Sequence, residues 1–85
     1  MVTASQIKKE IYTLIRKGPY EPALNDIVNE AALKSLLFSR YAYDLTDDEF
    51  NLIGDELADS GDFYWNNDGK LALNTGGIAY LNRNK

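Results

Sequence analysis

Thr46 stands three residues before Glu49, just ahead of an apolar stripe made by Phe50, Ile53, Leu57 and Ala58. This pairing is a capping-box signature, in which a Thr hydroxyl and a Glu carboxylate satisfy the backbone N–H groups that open a helix. The stripe stops at Ser60-Gly61, where a glycine suits the position that closes a helix. Two short β-rich runs follow at once, Phe63-Tyr64-Trp65-Asn66 and Lys70-Leu71-Ala72-Leu73, joined by Asn67-Asp68-Gly69. An Asp-Gly step between such runs signals a hairpin, because both residues tolerate positive φ. A capped helix that leads straight into a hairpin leaves few folds for the rest of the chain to complete.

Upstream, Ile7, Ile11, Leu14 and Ile15 follow helical spacing, with Lys8, Lys9, Thr13, Arg16 and Lys17 turned the other way. The pattern predicts a first helix over residues 5–17, with Ser5 as its N-cap and Gly18-Pro19 as its stop. Tyr20-Glu21-Pro22 is a connector, and Pro22 is able to open the next helix. Leu24, Ile27, Val28 and Ala31 then repeat a helical stripe that changes phase to Leu33, Leu36, Leu37, Arg40 and Tyr41. This predicts either one kinked helix or two successive helices over residues 22–42. A last short helix over residues 75–82 presents Ile78 and Leu81, with Asn74 as N-cap and Gly76-Gly77 permitting close backbone approach.

Helix, helical segment, capped helix, hairpin, helix is the order of a winged helix-turn-helix. The expected fold is therefore α+β, a single winged-helix domain over residues 1–85 with a C-terminal β-hairpin wing and a short last helix. Ile7, Ile11, Leu14, Ile15, Leu24, Ile27, Val28, Phe50, Ile53, Leu57, Leu71 and Ile78 are expected to face inward. At 85 residues there is room for one small core only.

The chain has no Cys and no His, which removes thiolate nucleophiles, disulfides and the commonest acid/base group and metal ligand. These absences argue against an enzyme; no catalytic residue emerges and no cofactor is expected. No apolar run reaches the roughly 18–20 residues that a membrane span needs, and the first residues lack the basic and apolar regions of a signal peptide. A cytoplasmic location is the expectation.

Charge supplies the functional signal. Between Asp44 and Asp62 lie eight carboxylates and no Lys or Arg, on and around the third helix, which in DNA-binding winged helices enters the major groove. Residues 1–42 carry a net +2 and residues 43–85 a net −6. Phosphates should be repelled by so acidic a helix. The face outside the apolar stripe consists of Asp48, Asn51, Leu52, Asp55, Glu56 and Asp59. It reads either as a solvated surface or as a docking face for a basic protein surface, even one that imitates nucleic-acid phosphates. Metal binding is disfavoured, since the carboxylates lack the spacing of a calcium loop and adjacent helical residues diverge.

Aromatics and cations complete the candidate site. In an alternating strand Phe63 and Trp65 share a face, expected to cover the core beneath the third helix, while a partly exposed Trp65 would be a binding anchor beside the wing. The partner-binding set is thus Asp48, Asn51, Asp55, Glu56, Asp59 and Trp65. Phe38, Tyr41 and Tyr43 are expected to seal the junction between helices; their exposure would instead create an interface, so monomer and homodimer both stay open. Lys8, Lys9, Arg16 and Lys17 give the first helix a basic face and the wing adds Lys70. That face defines the alternative function, a DNA-binding transcriptional regulator docking through the first helix and the wing.

The run Leu57-Ala58-Asp59-Ser60-Gly61-Asp62-Phe63, followed by Gly69-Lys70-Leu71-Ala72-Leu73-Asn74-Thr75-Gly76-Gly77-Ile78-Ala79-Tyr80-Leu81, resembles the YjcQ-like small winged-helix proteins of Gram-positive bacteria and their phages. The similarity spans roughly residues 45–82 and rests on the glycine exit from the helix and on the closing Gly77-Ile78-x-Tyr80-Leu81. Gly76 stands where the family has a Lys, and the segment between Pro22 and Asp44 is longer. The resemblance implies a winged-helix architecture and a mobile-element origin, with no reaction attached.

Overall fold

The computed structural model describes residues 2–83. Four helices and one hairpin follow in order: α1 (Ala4–Arg16), α2 (Glu30–Tyr41), α3 (Asp47–Asp59), β1 (Phe63–Trp65), β2 (Leu71–Leu73) and α4 (Thr75–Arg83). The strands pair antiparallel, with Phe63 opposite Leu73, Tyr64 opposite Ala72 and Trp65 opposite Leu71. This is the winged-helix arrangement, a small α+β domain in which the hairpin is the wing.

The N-terminal boundary of α1 lies two residues upstream of the expected cap. Thr3, not Ser5, caps the start of the helix: its hydroxyl accepts from the Gln6 backbone N–H at 3.2 Å, and the Gln6 side chain accepts from the Thr3 N–H at 2.8 Å. Gln6 is the residue that decides it, because only a cap three positions earlier gives its amide a backbone donor to receive.

Residues 22–29 are not helical, contrary to the stripe read through Leu24, Ile27 and Val28. Ile27 forms an isolated antiparallel bridge with Ala72, on the side of β2 away from β1. Backbone bonds fix the alignment, from Asn25 N–H to the Leu73 carbonyl at 2.8 Å, from Leu73 N–H to Asp26 at 2.8 Å and from Val28 N–H to Leu71 at 2.9 Å. An open edge of β2, buried beside the core, needs these partners more than residues 22–29 need a helix of their own. Asn25 accommodates the turn with φ +76°, a conformation that asparagine tolerates better than most residues. As a consequence Leu24 and Ile27, expected inside, are 48 % and 46 % exposed, and only Val28 enters the core. α2 begins later, at Glu30, where the Asn29 side chain accepts from the Ala32 N–H at 3.0 Å.

The core forms where α1, α2 and α3 meet the inner face of the hairpin. Ile7, Ile11, Leu33, Leu37, Phe63, Leu71 and Leu73 are fully buried. Leu14, Ile15 and Ile78 are partly buried against the same cluster. Leu81 joins it from α4, as its place beside Ile78 on that helix implies, and Tyr12 and Leu45 join it although no apolar stripe pointed to them. Tyr12 stacks on Tyr80 with ring centroids 4.3 Å apart and donates its hydroxyl to Asp62 at 2.8 Å. Glu10 is buried on the inner side of α1, where the Arg40 guanidinium donates to its carboxylate at 3.0 and 3.3 Å and the Tyr41 hydroxyl donates at 3.2 Å. Those bonds clamp the end of α2 to α1, and a buried carboxylate survives only with such partners.

α3 leaves through Gly61, whose φ of +83° lies in the left-handed region that glycine enters at little cost. α4 then folds back so tightly that a Cβ on Gly77 would overlap the Asp62 carbonyl oxygen and the Leu73 side chain, and one on Gly76 would lie 2.7 Å from the Gly61 carbonyl oxygen. The Gly76 N–H bonds that oxygen at 3.1 Å. The glycine pair thus permits the close backbone approach expected of it, and seats α4 on the exit of α3.

Candidate functional interface

α3 begins at the predicted cap. Thr46 accepts from the Glu49 N–H at 3.2 Å, but the Glu49 carboxylate does not reach back to complete the box: it receives the Tyr43 hydroxyl instead. That bond raises the Tyr43 pKa above its ordinary value, since the carboxylate favours the protonated phenol. The first turn holds Asp47, Asp48 and Glu49, a favourable placement at the positive end of the helix dipole.

Phe50, Ile53, Gly54 and Leu57 are the buried positions of α3. Opposite them Asp48, Asn51, Leu52, Asp55, Glu56 and Asp59 are all exposed, as the periodicity predicts. The five polar residues of the candidate set on α3 therefore share one solvent face.

The acidic stretch is less isolated than the sequence suggests, because the fold carries cations to it from the N-terminal half. Lys8 of α1 pairs with Glu56 at 2.8 Å. Lys34 of α2 bridges Glu30 at 3.0 Å and Asp47. The Lys34 contact holds Asp47 below the usual carboxylate range, and Asp47 together with Glu30 raises the Lys34 pKa. The absence of Lys and Arg between Asp44 and Asp62 thus does not leave Glu56 uncompensated, because Lys8 reaches it from α1. Among the described residues Asp48 and Asp59 have no hydrogen-bonded or ion-paired side-chain partner, and they define the uncompensated part of the face.

Trp65 flanks this face. Its indole N–H donates to Asp55 at 2.7 Å, and its ring lies over Gly54 so closely that a Cβ there would collide with it. Phe50 meets the ring edge-on with centroids 6.2 Å apart. Trp65 is thus half-buried and committed to α3, and joins the site as its wall rather than as a free aromatic. Two members of the candidate set, Asp55 and Trp65, are joined directly. Phe63 is wholly buried beneath α3, so the strand divides its aromatics as alternation predicts, and Tyr64 on the other side donates to Asn25.

The aromatic junction differs from expectation. Tyr43 packs on the core and Tyr41 is held by Glu10, but Phe38 stands 65 % exposed. Position 38 lies on the outer face of α2 because Leu33 and Leu37 take the inner one. The basic face of α1 also loses one member, since Lys8 is engaged by Glu56. Among the described residues no three acidic side chains converge as a metal-ligand group, and no helix is long and apolar enough to cross a membrane.

Comparison of the chain with protein-family models, with curated proteins and with solved structures returned no match.

Proposed function

We propose that this chain is a winged-helix protein-interaction module whose α3 and wing bind a basic protein surface. The observation that carries the reading is the exposed face of α3, where Asp48, Asn51, Asp55, Glu56 and Asp59 stand together and the helix from Asp47 to Asp59 contains no cation. A duplex approaching this face would bring phosphates, at one charge per ~1.7 Å of axis, against carboxylates, two of which have no cation or donor to neutralise them. A lysine- or arginine-rich surface would instead be drawn in, and the attraction would speed its association.

The resemblance to YjcQ-like proteins supports a phage or mobile-element origin, and with it a concrete version of the partner: a host nucleic-acid-binding protein whose basic site the acidic helix occupies. Capture with the immobilised chain, run beside its Asp55→Lys/Glu56→Lys variant, tests this. The proposal expects a basic protein that is held by the wild type, released by salt, displaced by DNA and lost from the reversed variant. Equal capture by both chains would remove α3 from the interface.

A further inference from the structure

Leu52 is 66 % exposed, more than any other large aliphatic side chain among the described residues. α3 turns Phe50, Ile53, Gly54 and Leu57 inward, and at about 100° per residue Leu52 points the opposite way. Asp48, Asp55, Glu56 and Asp59 lie one or two turns from it and within about 60° of it around the helix axis. The most exposed leucine of the chain therefore sits at the centre of its most acidic surface. Leu52 is the one apolar side chain among the exposed positions of α3, so any partner drawn to the carboxylates would meet it at the middle of the contact.

The surrounding carboxylates select what could cover Leu52. A second copy docking through the same face would confront Asp48 and Asp59 with their own equivalents. Nucleic acid would meet the same repulsion, and a phosphate-rich surface offers no apolar contact to a leucine. Cationic groups arranged around an apolar spot satisfy both elements of the face at once.

Resting on the reading of α3 as a docking face, we propose that Leu52 is its apolar anchor and that the occupant is a cationic amphipathic protein surface, an apolar stripe or socket flanked by Lys or Arg. The carboxylates steer and orient this partner, while burial of Leu52 slows its departure. A face that only imitated phosphates would need the charges without the leucine.

The test uses two fluorescent probes of equal charge, a helical peptide of about five turns with Leu on one face and Lys on the other, and an oligolysine. Binding of each is measured by anisotropy to the wild type, to Leu52→Ser and to Asp55→Lys/Glu56→Lys, with thermal unfolding as the check that all three are folded. The wild type is expected to bind the amphipathic helix at least about tenfold more tightly than oligolysine, Leu52→Ser to lose that preference, and the charge reversal to weaken both. A Leu52→Ser chain that keeps the full preference overturns the anchor and leaves the acidic docking face standing. Failure of both probes to bind the wild type overturns the docking face, and the anchor with it.

Discussion

The Trp65 indole N–H is bonded to the Asp55 carboxylate at 2.7 Å, and the ring occupies the space where a side chain at position 54 would begin. Glycine in a helix interior costs up to about 1 kcal/mol relative to alanine, so its presence in α3 has a local cause, namely the seat it makes for Trp65. Gly54→Ala should push the indole off the helix, red-shift the emission of this sole tryptophan and lower the unfolding midpoint. In a Trp65→Ala background the same substitution should stabilise by up to about 1 kcal/mol, because the collision is gone and the propensity gain remains. A Gly54→Ala chain with unchanged emission would disprove the contact.

Ala42 ends α2 with φ +52°, a left-handed conformation in which its Cβ is crowded. The N–H groups of Ala42 and Tyr43 turn back to the carbonyls of Phe38 and Leu37 at 2.9 and 3.3 Å, so the conformation is tied in place. Ala42→Gly should therefore stabilise the protein by roughly 0.5–1 kcal/mol in urea unfolding. Destabilisation would show that the helix ends otherwise.

Alkali should weaken the fold through Tyr12. Burial first, and then its bond to Asp62, push the Tyr12 pKa far above the ordinary 10.0. The unfolded chain releases this proton near pH 10 while the folded chain keeps it, so stability is fully present below that pH and falls as pH rises beyond it. Tyr43 and Lys34, both raised, act in the same direction. Urea midpoints measured from pH 8 to 11 should decline above 10, and Tyr12→Phe should flatten much of the decline. A Tyr12→Phe profile parallel to wild type would contradict the assignment.

Removing a cation should sharpen the acidic face. Lys8→Ala frees Glu56 from its pair, and since both side chains are partly exposed the loss of stability should stay below about 1 kcal/mol. Association with oligolysine should become tighter and more dependent on salt. Weaker association would mean that Lys8 itself belongs to the contact.

α3 and the wing were legible because their signals are local: the Thr46 cap, the Gly61 exit and the Asp68-Gly69 turn each act within a few residues. Only Gly69 of that turn uses positive φ, at +74°, while the Asn66 side chain accepts from Asp68 and Lys70 N–H groups to hold the loop. Residues 22–29 depart from their helical spacing because their extended form is imposed by β2, a strand far away in the chain, and apolar spacing alone cannot register an open sheet edge. Glu10 lies three residues after Ile7, on the inward side of α1, so its burial was implied by the very stripe that located the helix, although its partners Arg40 and Tyr41 were not. The candidate face divides in the same way. Periodicity placed Asp48, Asn51, Asp55, Glu56 and Asp59 in solvent together, whereas the arrival of Lys8 at Glu56 and of Lys34 at Asp47 depends on how the helices pack.

The proposed docking face of α3 is to reject nucleic acid and accept cationic protein. Amide chemical-shift mapping of the isotope-labelled chain at low ionic strength, with duplex DNA in one titration and oligolysine in the other, tests both halves at once. Oligolysine is expected to shift Asp48, Asn51, Leu52, Asp55, Glu56 and Asp59, and DNA to shift none of them. Salt-sensitive shifts on residues 48–59 caused by the duplex, with oligolysine leaving them unmoved, would contradict it.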